Sequence, residues 1–278
     1  MLQRIFRYIH ALLQFYVDIF LFYINNGFIN TFRILFAFLT NQPIIKVNHV
    51  AKVSNKVIAL FYNAEAYHRI TLFHFLHSFK QMSKLIDTIP AHDCRYILDL
   101  GANCGHFSVI ASERFPQAKI YAFEPSPSLH SILHKNIANR NIELVAKAVS
   151  NEVGVTKFHV NPEGQQTNSI LEASVEMYSK TYQTIEVPLT TLDVFAAENY
   201  LTHIDIIKID CQGVESLILK GATTVLQQTD YLVLEITFLD KDIQWLLNYV
   251  MQYFPHYKVV NPLMLGADLV FSKKPFKD

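Results

Sequence analysis

The sequence predicts an α/β protein in which a mostly parallel sheet has helices on both faces, with a helical extension at the N terminus. Strand-like and helix-like segments alternate over residues 96–149, and this alternation is typical of β-α-β units with a parallel sheet. Residues 204–210 are almost continuously apolar, as expected for a strand that is buried on both faces. In this architecture ligands bind at the carboxyl ends of the strands.

Composition limits the classes of function. The chain has 278 residues, of which 51% are hydrophobic and 17% are charged, so we expect a folded core rather than disorder. The 24 Lys and Arg residues balance the 24 Asp and Glu residues. This balance argues against a nucleic-acid-binding protein, which usually carries an excess of positive charge. Three cysteines are too few for a disulfide framework and favour a reducing, cytoplasmic compartment.

The N-terminal part differs from the rest of the chain. Aromatic residues are concentrated in residues 1–40, and the spacing of polar residues there is helical. Residues 47–87 also have a helical pattern, so we expect residues 1–90 to form a helical extension and residues 91–278 to form the main domain. Three alternatives stay open for residues 1–45: packing on the domain, peripheral contact with the inner face of a membrane or with a partner, and a membrane span.

Apolar segments predict the strands of the main domain, and capping residues predict where its helices begin and end. Predicted strands are residues 96–100, 119–123, 142–149, 156–160, 184–189, 204–210, 231–236, 257–260 and 268–271. The first helix, which begins at His106, ends before Pro116. Ser126 and Pro127 begin the second helix, and Thr191 begins a short one. Gly221 is placed to end a later helix.

The loop that follows the first predicted strand is the strongest functional signal. It reads D-L-G-A-N-C-G from Asp99 to Gly105. Gly101 and Gly105 would let the backbone turn sharply and approach a ligand closely, and a helix N terminus follows. Because Asn103 stands at the middle glycine position of a dinucleotide motif, a nicotinamide-dependent oxidoreductase is the weaker alternative. Asp99 would repel a pyrophosphate and suits a ligand with an ammonium group.

Glu124 ends the second predicted strand. A carboxylate at this place can accept hydrogen bonds from both hydroxyl groups of a ribose. The alternative is that Glu124 caps the helix that begins at Ser126. The glycine loop beside it favours the ribose interpretation.

Further motifs occur in a fixed order along the chain. They are A-F-E-P-S-P, A-V-S, T-T-L-D at 190–193, I-I-K-I-D-C-Q-G-V-E at 206–215 and V-L-E ending at Glu235. With the glycine loop, they resemble the FkbM family of S-adenosylmethionine-dependent methyltransferases over about residues 95–236. The resemblance implies a Rossmann-like class I methyltransferase fold, with a seven-stranded sheet and one antiparallel strand near its far edge. It also implies methylation of a hydroxyl group on a sugar, glycoconjugate or natural product.

The resemblance implies S-adenosyl-L-methionine as the cofactor, and the residues that we expect to bind it lie at strand ends. They are Asp99, Gly101, Ala102, Asn103, Gly105, Glu124, Pro125, Ala148 and Asp210. The glycine loop would bind the amino-acid end, Glu124 the ribose, and Pro125 and Ala148 the adenine. No metal is assigned, and Gln212 stands where the family often has Glu.

Three carboxylates are candidate catalytic residues: Asp210, Glu215 and Glu235. Methyl transfer from a sulfonium depends mainly on alignment, but a hydroxyl acceptor must also lose a proton. Asp210 is the leading candidate, whereas stabilisation of a helix N terminus is the alternative for Glu215. Lys208 lies on a buried strand and needs a partner, for which we expect Glu235.

The expected partner is therefore a small-molecule or glycan acceptor and not a nucleic acid. We expect the polar segment 161–169 to lie over the site, and the alternative is that it forms an ordinary surface hairpin. A protein from another class, a non-catalytic scaffold that binds a partner through its N-terminal helices, is the alternative.

Overall fold

The computed structural model describes residues 47–53, 56–60, 81–90, 93–161, 167–237, 242–263 and 266–276. The helices are α1 (residues 81–88), α2 (His106–Arg114), α3 (Pro127–Ile137), α4 (Glu172–Tyr178), α5 (Leu192–Glu198), α6 (Glu215–Lys220), α7 (Thr223–Gln227) and α8 (Ile243–Tyr253). The strands are β1 (Val47–Val53), β2 (Lys56–Leu60), β3 (Tyr96–Leu100), β4 (Lys119–Phe123), β5 (Ile142–Val145), β6 (Ala148–Val149), β7 (Gly154–Val160), β8 (Gln183–Thr190), β9 (Ile204–Ile209), β10 (Thr229–Thr237), β11 (His256–Leu263) and β12 (Gly266–Ser272).

Seven strands form the main sheet in the order β11-β12-β10-β9-β3-β4-β5. Strands β10, β9, β3, β4 and β5 are parallel to one another. Strand β12 is antiparallel to both of its neighbours, β10 and β11. The predicted fold class, a mostly parallel seven-stranded sheet with one reversed strand near its far edge, is confirmed.

Helices cover both faces of this sheet. All six residues of β9 are buried, and its side chains alternate between the faces, as the period of a strand requires. Ile206 packs with Leu85, Ile110 and Leu133, which come from α1, α2 and α3. Ile207, the next residue of β9, belongs to a second cluster on the opposite face, with side chains of α5 to α8.

The helical prediction for residues 47–87 is wrong in its first part. Strands β1 and β2 pair antiparallel there. Val50, Val57 and Ile58 are β-branched, and such residues favour strands because their side chains are restricted in a helix. Residues 81–88 are helical as predicted, and Met82, Leu85, Ile86 and Ile89 are buried in the core of the main sheet. The domain division at residue 90 stays a prediction.

The expectations for residues 1–45 lie outside the described residues. In the described part of the chain, no helix combines the length and the apolar character that crossing a membrane requires.

The single strand predicted over residues 142–149 is divided in two. Strand β5 completes the main sheet, whereas β6 pairs with β8 in a smaller sheet of order β6-β8-β7. The chain turns sharply between them, where the N–H of Lys147 donates to the carbonyl oxygen of Val145 at 2.9 Å. This turn contains neither Gly nor Pro, so the sequence gives no local signal for it.

Candidate active site

A cavity of about 220 Å³ lies at the carboxyl ends of the central strands. Eight of the predicted site residues line it: Gly101, Ala102, Asn103, Glu124, Pro125, Ala148, Asp210 and Glu235. Asp99, Gly105 and Glu215 do not belong to its lining. The predicted residues are thus brought together at one site, with these three exceptions.

The glycine loop packs directly against the end of β9. Gly101 has φ 73°, a left-handed conformation that favours glycine. A Cβ atom at this position would lie 2.0 Å from the carbonyl oxygen of Asp210. The N–H groups of Gly101 and Ala102 donate to the carbonyl oxygen of Phe123 at 3.1 and 2.9 Å. The loop is therefore held between β4 and β9, and its first position has no room for a side chain.

We predict that Gly101→Ala lowers the free energy of unfolding by more than about 2 kcal/mol. Alanine would be strained in the left-handed conformation, and its Cβ atom would clash with the backbone of Asp210. Gly154→Ala is the matched control. Gly154 also has a positive φ, 152°, but a Cβ there would meet no atom within 4 Å. The free energies of unfolding in urea should show a larger loss for Gly101→Ala. Equal losses would contradict the clash.

Glu124 connects the glycine loop to α3. Its two carboxylate oxygens accept hydrogen bonds from the N–H groups of Asn103 and Ser126, both at 2.9 Å. The side chain of Ser126, expected as the helix cap, makes no capping bond. Burial raises the pKa of Glu124 to about 7, although these two N–H groups oppose the shift. Each oxygen keeps a second lone pair for a ligand, so the tie to α3 and the predicted ribose contact are compatible.

Asp99 lies beneath the glycine loop. It is fully buried, and one of its oxygens, Oδ2, accepts from the hydroxyl of Ser108 at 2.6 Å. The other lies 3.3 Å from Nζ of Lys208. The expected contact between this carboxylate and a ligand ammonium group therefore does not fit the structure. Gly105 also has a packing role, since a Cβ there would lie 2.7 Å from Leu133.

The ammonium group of Lys208 connects the glycine loop to the residues at the end of β9. Its Nζ donates to the carbonyl oxygens of Gly101 at 2.9 Å and Leu100 at 3.2 Å. It also lies 3.3 Å from Asp99 and 3.5 Å from Asp210. Burial alone would lower the pKa of Lys208, but the two carboxylates reverse this and raise it. Lys208 is therefore charged.

The prediction that Lys208 pairs with Glu235 is wrong. The parallel register of β3 and β9 places Asp99 beside Lys208, as Cα partners. Asp210 follows two residues later on the same side of the strand. The ammonium group of Lys208 therefore pairs with Asp99 and Asp210 instead of Glu235.

Glu215 stabilises the loop at the start of α6. Its two oxygens accept from the N–H groups of Cys211 at 2.8 Å and Gly213 at 2.9 Å. The side chain is buried and does not reach the cavity. The catalytic role expected for Glu215 does not fit this geometry, and the alternative, stabilisation of the helix start, does.

Asp210 and Glu235 form a carboxyl pair bridged by Gln212. The amide Nε2 of Gln212 donates to both of them at 3.0 Å. Burial and the charge of Asp210 raise the pKa of Glu235. Burial would also raise the pKa of Asp210, but the Lys208 ammonium outweighs it and the pKa is lowered. Of the two carboxyl groups, Glu235 therefore binds a proton more readily than Asp210.

The segment between β7 and β8 holds Gln212 in place. The hydroxyls of Ser169 and Ser174 donate to the carbonyl oxygen of Gln212 at 3.1 and 2.7 Å. Asn168 lines the cavity. The expectation that segment 161–169 covers the site is supported at residues 168 and 169, and residues 162–166 lie outside the described part.

Asp268, on β12, is a cavity residue that the sequence analysis missed. It is buried, and its Oδ2 accepts from the amide of Asn261 at 3.0 Å. Burial raises its pKa to about 6, although the Asn261 hydrogen bond opposes the shift. It is the Cα partner of Glu235 across β10 and β12. The only sequence signal was an acidic residue at the start of an apolar strand.

The sequence model of the methyltransferase FkbM domain matches residues 99–259. The chain belongs to this family. Membership implies S-adenosyl-L-methionine as the cofactor and makes a nicotinamide-dependent oxidoreductase untenable. The site fits that cofactor, because Glu124 offers two acceptor oxygens for ribose hydroxyls beside Gly101 and Ala102, which line the cavity.

Three curated relatives of this FkbM-family chain are methyltransferases by name. The methyltransferase sdnD of Sordaria araneosa is 30% identical over 154 residues, which cover 45% of this chain and 60% of that protein. The 2-O-methyltransferase NoeI of Sinorhizobium fredii is 26% identical over 186 residues, 62% of this chain and 76% of that one. The hexuronic acid methyltransferase AglP of Haloferax volcanii is 28% identical over 140 residues, 50% of this chain and 54% of that one.

Proposed function

We propose that this chain transfers a methyl group from S-adenosyl-L-methionine to a hydroxyl group of a sugar, glycoconjugate or natural product. One observation carries the proposal: a single cavity joins two chemically different ends. The donor end comprises the glycine loop, Glu124, Pro125 and Ala148. The acceptor end comprises Asp210, Gln212, Glu235 and Asp268. The relative NoeI is by its name a 2-O-methyltransferase, which supports an oxygen as the acceptor atom.

The cofactor, when bound, supplies a methyl group on a positively charged sulfur. The residues of the chain align the reactants and hold the proton of the acceptor. Lys208 fixes the backbone of Gly101 to the end of β9, and alignment of this kind supplies most of the acceleration in such displacements. At the acceptor end, an ionised carboxylate can receive the hydroxyl proton. Asp210 is ionised and fixed by Gln212, which suits it to orient the hydroxyl.

Methyl transfer can be tested without knowing the acceptor. The purified chain is incubated with tritium-labelled S-adenosylmethionine and with a carbohydrate and metabolite extract of its source organism. Mild alkali then removes methyl esters, so that surviving label excludes methylation of carboxyl groups. We expect alkali-stable label that falls at least tenfold with Asp210→Asn. Binding of S-adenosylhomocysteine without any transfer would instead support the non-catalytic scaffold.

We also predict that S-adenosylhomocysteine binds more weakly below pH 7. The ribose hydroxyls donate to the ionised form of Glu124, whose pKa in the free protein is raised to about 7 by burial. Binding is therefore at full strength above pH 7 and is lost as the pH falls, by about tenfold at pH 6 if only the ionised form binds. Calorimetry between pH 8 and pH 5.5 measures this. Glu124→Gln should bind weakly with a flat profile, and a flat wild-type profile would contradict the assignment.

A further inference from the structure

We propose that the acceptor end of the cavity binds an uncharged, hydroxyl-bearing ring through Asp268, and that it rejects rings that carry a carboxylate. This inference rests on the proposed function and specifies its substrate class.

The sheet order places Asp268 on the side of the cavity away from the donor end. In the sheet, β9, β10 and β12 lie in this order on one side of β3. Strand β4, which ends before Glu124, lies on the other side. Neighbouring strands lie about 4.8 Å apart, so β10 lies about 10 Å from the glycine-loop strand and β12 lies further. Asp268 nevertheless lines the same cavity as Gly101 and Glu124. A ligand that contacts Asp268 therefore extends beyond the donor end.

The carboxylate of Asp268 is fixed and has one oxygen available to a ligand. Its side chain is 5% exposed. Asn261 donates to Oδ2 and also to the carbonyl oxygen of Gln81 at 3.3 Å, which fixes the amide. Among the residues that the structure describes, no donor reaches Oδ1 of Asp268. A buried acceptor at a cavity wall needs a donor, and an acceptor hydroxyl supplies one.

Asn168 offers the complementary group. Its Oδ1 accepts from the N–H of Asn161 at 2.9 Å, whereas its buried Nδ2 has no hydrogen-bond partner within the described ranges. Asn168 and Asp268 line the same cavity, so its lining includes a donor and an acceptor that have no hydrogen-bond partner among the described residues. A hydroxyl group both donates and accepts. A polyol matches this pair, whereas a carboxylate group placed against Asp268 would supply no donor.

The charges of the acceptor end disfavour an anion. Asp210 and Asp268 are ionised at pH 7.5, since the pKa of the first is lowered and that of the second is about 6. Glu235 adds no positive charge in either of its protonation states. Lys208 is the cation beside them, and its Nζ is already shared by Asp99, Asp210 and two carbonyl oxygens. A carboxylate on the acceptor would thus meet like charges in a buried site, which opposes binding.

Two other basic side chains, Lys147 and His106, also line the cavity. Lys147 lies next to Ala148 at the donor end, where its side chain is 40% exposed and lies 4.0 Å from Glu198. His106 begins α2, directly after the glycine loop. Lys147 lies in the turn after β5, on the far side of β3 from Asp268, so it provides no cation at the acceptor end.

The charge of the methylated ring tests the inference on the wild-type protein. The alkali-stable product of the labelling experiment is hydrolysed to monomers, which are separated by anion exchange. We expect the label in the uncharged fraction. Label in uronic acids would overturn the inference and leave the proposed function intact, whereas no label in any fraction would refute the proposed function and this inference with it.

A conservative variant then tests Asp268 itself. Asp268→Asn keeps an oxygen for the Asn261 hydrogen bond but loses the charge. We expect S-adenosylhomocysteine to bind within twofold of wild type, and transfer to fall at least tenfold. Glu152→Gln, which removes an exposed carboxylate outside the cavity, should leave both unchanged. Wild-type transfer by Asp268→Asn would remove Asp268 from the acceptor site.

Discussion

Replacing Lys208 with methionine is expected to lower the free energy of unfolding by about 3–5 kcal/mol, the range for removing one partner of a buried ion pair. The variant leaves the fully buried Asp99 without its counter-ion and the carbonyl oxygen of Gly101 without the Nζ donor, whereas the carbonyl oxygen of Leu100 keeps the N–H of Asp210. Methionine is close to lysine in length but supplies neither a charge nor a donor. The loss is therefore mainly electrostatic and not a cavity effect.

Urea unfolding followed by circular dichroism measures the change. Lys220→Met is the matched control, because Lys220 pairs with Asp242 at the surface and is 37% exposed; it should cost less than about 1 kcal/mol. Adding Asp99→Asn to Lys208→Met should recover part of the loss, since the uncompensated charge is then gone. A loss below about 1 kcal/mol for Lys208→Met, or no recovery in the double variant, would contradict this account.

The central strands could be predicted because their signal is local. Strands β3, β4 and β9 are buried on both faces, and their sequences are almost continuously apolar. The end of β5 could not be predicted, since the turn at residues 146–147 has no Gly or Pro. The pair of strands at residues 47–60 was missed because its β-branched residues occur at a spacing that also fits a helix.

The donor end could be predicted for a similar reason. Gly101, Asn103 and Glu124 lie directly after strands, and the carboxyl ends of parallel strands share one edge of the sheet. The side chain of Asp99 was misplaced because its direction depends on strand alternation and on the register with β9, which sets Lys208 beside it. Asp268 was missed because its position depends on the order of the last strands.

Replacing Glu124 with alanine is expected to weaken S-adenosylhomocysteine binding at least a hundredfold at pH 8. A hydrogen bond to a charged group contributes about 1.5–3 kcal/mol, and two ribose hydroxyls would lose such bonds. The combined loss of about 3–6 kcal/mol corresponds to two to four orders of magnitude in Kd. The variant also frees the N–H groups of Asn103 and Ser126, so the loop and the start of α3 lose their common anchor.

Glu124→Gln separates these two contributions. Glutamine has one acceptor oxygen, so it keeps a bond to one N–H group but no charge, and we expect an affinity between those of the wild type and of Glu124→Ala. Calorimetry measures affinity, and urea unfolding measures the cost to the fold. Asp268→Asn, at the other end of the cavity, should leave affinity within twofold. If Glu124→Ala were to lose stability but keep its affinity, Glu124 would serve only to tie the loop to α3, and the nucleoside would have to bind elsewhere in the cavity.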